Sequence, residues 1–274
     1  MICAWKQLIR IFPTWLQNQL AQYEHHPLQD IRMRINSPPE LIVSGKSIWL
    51  SHPISQEDLS FCISIASRYS PWAAATIEQG YLTVPGGHRI GVCGEAIIKN
   101  GHFCGIRTVT SICVRIARDF PGIAGNRDYS NRSILILGAP GWGKTTLLRD
   151  IARNLANRQE VCVIDERQEL FPSGFQTGKR MDILIGCPKT QGITCALRTM
   201  GPEIIAVDEI TDPEDCCQLL QAQGCGVKLL ATAHASDLNE FNRRTVYAPL
   251  REHRVFDTIL VLRRDKSFSV EEAR

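Results

Sequence analysis

The spacing of hydrophobic positions changes character about halfway along the chain. Residues 1–25 carry apolar positions at helical spacing and predict a helix broken at Pro13. From Asp30 to Ile35 the period drops to two, with Ile31, Met33 and Ile35 set against Arg32 and Arg34, which predicts a half-buried strand. Ser37-Pro38-Pro39 marks a turn, and Glu40–Val43 and Lys46–Leu50 flank Ser44-Gly45 as a hairpin. Gln56–Tyr69 returns to helical spacing, with Leu59, Ile63 and Ala66 on one face and Pro71 as its stop. Tyr81–Val84 and Arg89–Val92 surround Pro85-Gly86-Gly87 as a second hairpin, and Ser111–Ile116 is again strand-like. Helices and hairpins in this order predict a smaller α+β N-terminal domain over residues 1–125.

Residues 126–132 (NRDYSNR) are polar, turn-prone and without period, and the domain boundary is placed there. Beyond it, short apolar runs alternate with helical stretches. The predicted strands are Ser133–Leu137, Val161–Ile164, Ile204–Val207, Lys228–Thr232 and Thr258–Leu262; helices are predicted to about Asn157 and over Pro213–Ala222. Apolar runs between helices predict an α/β domain over 126–274, its mostly parallel sheet covered on both faces. No further C-terminal domain is expected after the last strand.

Composition narrows the class without choosing the chemistry. The 274 residues are 44% hydrophobic and 22% charged, an ordinary globular balance with core enough for one large or two modest domains. A net charge of +3 is too small to point to nucleic acid or an acidic membrane surface. The apolar runs are strand-length, so no membrane span is predicted. The N-terminus lacks the order of a signal peptide. The 11 cysteines form no C-x-x-C pair and are read as reduced thiols in a cytosolic protein.

Residues 138–145 fit G-x-x-x-x-G-K-[ST] at every fixed position, after an apolar strand and before a helix with Leu147, Leu148, Ile151, Ala152 and Leu155 on one side. This is a P-loop and predicts ATP with Mg²⁺. The predicted nucleotide-binding residues are Gly138, Ala139, Pro140, Gly141, Trp142, Gly143, Lys144, Thr145 and Thr146. Glycines let backbone N–H groups curl around phosphate oxygens, and the helix N-terminus adds partial positive charge. Lys144 is expected at the β- and γ-phosphates and Thr145 at Mg²⁺.

Other strand ends add titratable groups. Ile204–Val207 runs into Asp208 and Glu209; Asp208 is predicted at the Mg²⁺ shell and Glu209 as the general base for an attacking water. Val161–Ile164 ends in Asp165 and Glu166, read as a second metal-side and catalytic acidic pair. Lys228–Thr232 ends near His234. Alone it would read as a structural histidine; in this series it is read as a γ-phosphate contact.

The order of these boxes resembles the secretion-ATPase superfamily of type II and type IV secretion and pilus motors. The P-loop, VIDERQE (163–169), LRTMGPEIIAVDEI (197–210) and TAHA (232–235) carry the likeness. Within it, DIRMRINSPPELIV (30–43), GGHRIGVCGEA (86–96) and RIARDFPGIA (115–124) resemble the stage III sporulation AA family of endospore-forming bacteria. The resemblance implies a RecA-like ATPase domain behind a smaller N-terminal domain, a ring that is a hexamer, and integral membrane partners of a sporulation channel at the cytoplasmic face. It also implies arginines that reach the phosphates, with Arg89, Arg107 and Arg115 as candidates, and it matches Arg198 by position. Ser236 stands where the family often has asparagine, Trp142 is bulky for its place, and the four-cysteine module of type II motors is missing. Two other readings stay open: an ATP-binding ring scaffold with little turnover, and a nucleic-acid-dependent RecA-type ATPase. Near-neutral charge and the want of an aromatic–basic stripe count against the latter, and no nucleic acid is expected.

Overall fold

The computed structural model describes residues 3–68, 80–99 and 101–272. The chain divides into two units, Met1–Asp119 with Pro172–Phe175, and Phe120–Phe171 with Gln176–Arg274.

In the first unit, six strands form an antiparallel sheet: β1 (Leu28–Arg34), β2 (Glu40–Val43), β3 (Lys46–Trp49), β4 (Tyr81–Val84), β5 (His88–Lys99) and β6 (His102–Arg115), in the order β3-β2-β1-β6-β5-β4. Period two turns Ile31 and Met33 of β1 into the core beside Leu41, Ile90 and Val114. Helices α1 (Trp5–Leu8), α2 (Thr14–Leu20) and α3 (Gln56–Arg68) add Leu8, Leu16, Leu20, Leu59 and Cys62 to it. Pro13 sits at the N-cap of α2, where its fixed φ suits a helix start. The expected helix end at Tyr69–Pro71 lies outside the described residues. Strands β5 and β6 run well beyond the spans predicted from alternation. Past Cys93 three register irregularities break the period, and most of those side chains are exposed, so no apolar face marks the strand.

His88, wholly buried at the start of β5, accepts the Ala117 N–H at Nδ1 over 3.1 Å. Burial, and then the Arg118 charge, push its pKa down to about 4. A protonated ring would lose the acceptor. The unfolded chain protonates this histidine below about 6.5. The stabilisation is therefore intact above that pH and is lost as pH falls through about 4, by ~3 kcal/mol in total. His88→Gln keeps an acceptor that does not titrate. Urea unfolding at pH 7.5 and 4.5 should show a smaller acid loss in this variant; equal losses would refute the assignment.

The second unit is built on β7 (Ile134–Leu137), β8 (Val161–Asp165), β9 (Met181–Ile185), β10 (Ile204–Ile210), β11 (Lys228–Ala233), β12 (Thr258–Leu262) and β13 (Phe268–Glu272), in the order β13-β12-β7-β11-β10-β8-β9. All neighbours are parallel except β13, which returns antiparallel on β12. Alternation along β7 sends Ile134 and Ile136 to one face, against Leu147, Leu148 and Ile151 of α4 (Lys144–Leu155). Leu135 and Leu137 go to the other, with Ile193 of α5 (Lys189–Thr199) and Leu219 of α6 (Pro213–Gly224). Both faces are covered, which is why β7 and β12 read as unbroken apolar runs. Strands β9 and β13 escape the sequence pattern because they are sheet edges with mixed burial or polarity.

All eleven cysteines are free thiols. Burial pushes Cys62 up to about 12 and Cys162 and Cys216 up to about 11, so these three pack as inert apolar groups. Among the described residues no helix is long and apolar enough to cross a membrane.

Candidate functional site

Strand register assembles the site. Leu137 of β7 pairs with Ala233 of β11, so Gly138 and His234 emerge side by side. Val207 of β10 pairs with Ala231 and with Ile164 of β8, so Asp208 stands level with Thr232 on one side and Asp165 on the other. Residues distant in sequence thus meet at the carboxyl ends of four parallel strands, where ligands of open α/β sheets bind.

Gly141 (φ 75°) and Gly143 (φ 102°) hold the loop in left-handed backbone that a Cβ would strain, and Gly143 is the N-cap of α4. Lys144, only 6% exposed, donates to the carbonyls of Gly138 (2.9 Å) and Ala139 (3.4 Å) and to His234 Nδ1 (3.0 Å). Burial lowers its pKa, opposed by the charges of Glu209 and Asp208. With the ammonium donating, Nδ1 of His234 accepts and the ring proton sits on Nε2, which meets Glu209 Oε1.

Thr145 Oγ1 donates to Asp208 Oδ2 over 3.2 Å. Asp208 Oδ1 accepts the Thr232 hydroxyl (3.0 Å) and the Glu209 N–H (2.9 Å). That N–H also lies 2.8 Å from Thr232 Oγ1, and the Glu209 carbonyl accepts Lys189 Nζ at 2.6 Å. Lys189 is neutralised by Asp215 at 2.7 Å. The backbone of the candidate base is therefore gripped from both sides, leaving its carboxylate to face His234. Thr232, Lys189 and Asp215 are functional neighbours that the sequence reading missed. Thr232 had a signal, since period two sets it on the same side of β11 as His234; Lys189 had none.

The remaining expected residues fall in different places. Thr145, Asp165, Glu166, Lys189, Asp208 and Glu209 line one small cavity of about 70 Å³. Within it Asp165 is buried, and its two oxygens accept the N–H groups of Glu169 (2.8 Å), Leu170 and Phe171 (3.0 Å each). Its carboxylate ties down a loop, while Glu166 is exposed. Among the described residues no cluster of three or more His, Cys, Asp or Glu forms a metal site. Arg198 is exposed on α5 and lines a separate cavity with Gln191, Thr194, Glu214 and Gln218. In the first unit, Arg89 lies over the Tyr81 ring (5.4 Å), Arg107 pairs with Glu95 (3.4 Å) and Arg115 with Asp30 (3.7 Å).

A second cavity, about 400 Å³, opens beside the loop. Trp142 and Thr146 form one side, Leu262 and Phe268 of the β12–β13 hairpin another, and Phe120 and Ile123 a third. Lys266, in the turn of that hairpin, donates to the Gly141 carbonyl. The strip bearing Phe120 and Ile123 is held by Asp150 of α4, 1% exposed, whose carboxylate accepts the N–H groups of Gly122 (3.0 Å) and Ala124 (2.8 Å) and pairs with Arg153 at 2.6 Å.

The profile of the family described as sporulation stage III, protein AA matches residues 6–270. The chain belongs to that family. Stage III sporulation protein AA of Bacillus subtilis (strain 168) is 35% identical to this family member over 95% of its length and 91% of the relative's. Among solved structures, the Legionella pneumophila ATPase DotB superposes with a TM-score of 0.59 at 21% identity, covering 94% of this chain and 81% of DotB. The pilus retraction motor PilT, solved with bound ADP, gives 0.63 at 15% identity over 90% of this chain and 77% of PilT. The fold is thus the RecA-like α/β fold shared with DotB and PilT, the fold class that the order of its sequence boxes implied.

Proposed function

We propose that this family member is a Mg²⁺-dependent ATPase that hydrolyses ATP to ADP and phosphate and so energises assembly or transport by a sporulation-associated, secretion-like channel. The observation that carries the reading is the meeting of Lys144, Thr145, Asp208, Glu209 and His234 at aligned strand ends. The glycine cradle and the N-terminus of α4 suit a triphosphate chain, and the Lys144 ammonium, now resting on its own loop carbonyls, transfers to phosphate oxygens. The Thr145 hydroxyl, with Asp208 beside it, suits Mg²⁺, which when bound neutralises charge on the phosphate oxygens.

Glu209 takes the proton of the attacking water as its oxygen bonds to the γ-phosphorus and the bond to the β–γ bridging oxygen breaks. His234, joined to both Lys144 and Glu209, lies where it can register the γ-phosphate and free the carboxylate when the lysine leaves it. Asp165 shapes the loop beside this cavity, and Arg198 lines a separate one on α5. The relatives of like fold are named as an ATPase and a pilus motor, the latter solved with ADP, which supports the same chemistry here. We assign the chain to a hexameric ring at the cytoplasmic face of integral membrane partners, with the first domain, set at residues 1–125, as the part moved by hydrolysis and Arg89, Arg107 or Arg115 as its phosphate contact.

Phosphate release with Mg²⁺ is the test, followed as protein concentration rises. Turnover per chain should climb with concentration and vanish with EDTA and in Lys144→Ala. ATP binding through Lys144 with no turnover at any concentration, membranes included, would make the protein a scaffold instead.

A further inference from the structure

The cavity beside the P-loop has a chemistry of its own. It lies next to the triphosphate cradle on Gly141 and Gly143, and at about 400 Å³ it is within the range of ligand pockets. Its apolar walls are Trp142, Leu147, Leu262, Phe268, Phe120 and Ile123: three aliphatic and three aromatic side chains. A nucleoside attached to a triphosphate held at Lys144 has this cavity within reach, and a flat apolar base is the part of a nucleotide that such walls bury.

The hydrogen-bonding side chains of the lining are few: the Trp142 indole N–H, the Thr146 hydroxyl and the Lys266 ammonium, already engaged by the Gly141 carbonyl. The indole and the ammonium can only donate. Adenine and guanine both present an acceptor at N7, which such donors satisfy equally. They differ at position six, where guanine O6 would accept from the same donors and the adenine amino group would not, and at position two, where guanine alone has an amino group. These donors therefore give adenine no advantage over guanine. The lining has no carboxylate or amide side chain to read that difference. A site built to hydrogen-bond a substrate group rejects its analogue by ~10⁴ or more, whereas an apolar pocket discriminates by ~10²-fold at most. Stacking, by contrast, grows with ring area and tolerates any purine.

Resting on the nucleotide reading above, we propose that this site takes purine nucleoside triphosphates as a class, GTP nearly as well as ATP, with pyrimidine triphosphates disfavoured. Base recognition is by stacking and burial against Trp142 and Phe268, and affinity is set mainly at the phosphates.

The test is calorimetric titration of the full-length Glu209→Gln protein, which slows turnover, with Mg²⁺ complexes of ATP, GTP, CTP and UTP and of inorganic tripolyphosphate. ATP and GTP should bind within about ten-fold of each other, and CTP and UTP at least about ten-fold more weakly than ATP. Phe268→Leu preserves the apolar packing of the β12–β13 hairpin and removes the ring. It should weaken ATP and GTP alike, several-fold, while leaving tripolyphosphate unchanged. GTP binding more than about 100-fold weaker than ATP would overturn purine tolerance and leave the ATPase reading standing. Phe268→Leu binding every ligand as the parent does would overturn the location of the base. Failure of all five ligands would overturn the nucleotide reading itself, and this proposal with it.

Discussion

Replacing Glu209 with glutamine is expected to lower kcat by about 10²–10⁴ while ATP affinity stays within a few-fold of the parent. The substitution is conservative in every respect but one. The Glu209 N–H stays between Asp208 and Thr232, and its carbonyl still receives Lys189. A glutamine oxygen can still accept the His234 Nε2–H that the carboxylate now accepts. What is lost is the basicity of the carboxylate together with its charge, which also acts on Lys144. A fall in rate without a fall in binding therefore assigns the loss to the hydrolytic step rather than to phosphate recognition. Single-turnover phosphate release beside equilibrium ATP binding is the measurement. Wild-type turnover in this variant would remove Glu209 as the base and leave the role to another group of the small cavity, with Glu166 the first to try.

The second large effect is on stability. Asp150→Ala is expected to cost about 3–5 kcal/mol, because it leaves the buried Arg153 guanidinium without its carboxylate and two loop amides without acceptors. Asp150→Asn keeps one acceptor and should cost less. Denaturant unfolding of the full chain checks both, and a loss below about 1 kcal/mol for alanine would mean that another group holds the strip at Gly122–Ala124. That strip presents Phe120 and Ile123 to the cavity beside the P-loop, so the same substitution loosens one of its walls.

Legibility followed the range of the interaction that set each feature. The P-loop could be read because its glycines, its lysine and its flanking strand and helix all lie within a few residues. Asp208, Glu209 and His234 could be read because each ends an apolar run, and the parallel registers then bring them together. Lys189 could not, because its two partners, Glu209 and Asp215, come from other elements, and nothing within CPKTQG anticipates them. Asp150 and Arg153 lie off the apolar stripe of α4 and yet are buried, because the Asp150 carboxylate takes the amides of the Gly122–Ala124 strip, which comes from outside the helix. For Asp165 the strand-end argument finds the right place, but both oxygens are taken by the backbone of residues 169–171, which no strand-end rule foretells. Helix α5 was missed because Gly192 and its threonines dilute the apolar period, leaving Ile193 and Ala196 as its fully buried apolar contacts.

The chain passes between its two units three times, at residues 119–120, 171–172 and 175–176. The short visit of Pro172–Phe175 to the first unit is closely fitted: a β-carbon on Gly87 would lie 2.3 Å from the Pro172 ring. Neither unit is therefore encoded by an uninterrupted stretch. A gene fragment that carried the second unit to a new partner would carry with it a piece of the first, and a fragment ending at the first crossing would leave that piece behind. A single cut in the coding sequence therefore cannot separate one unit cleanly from the other.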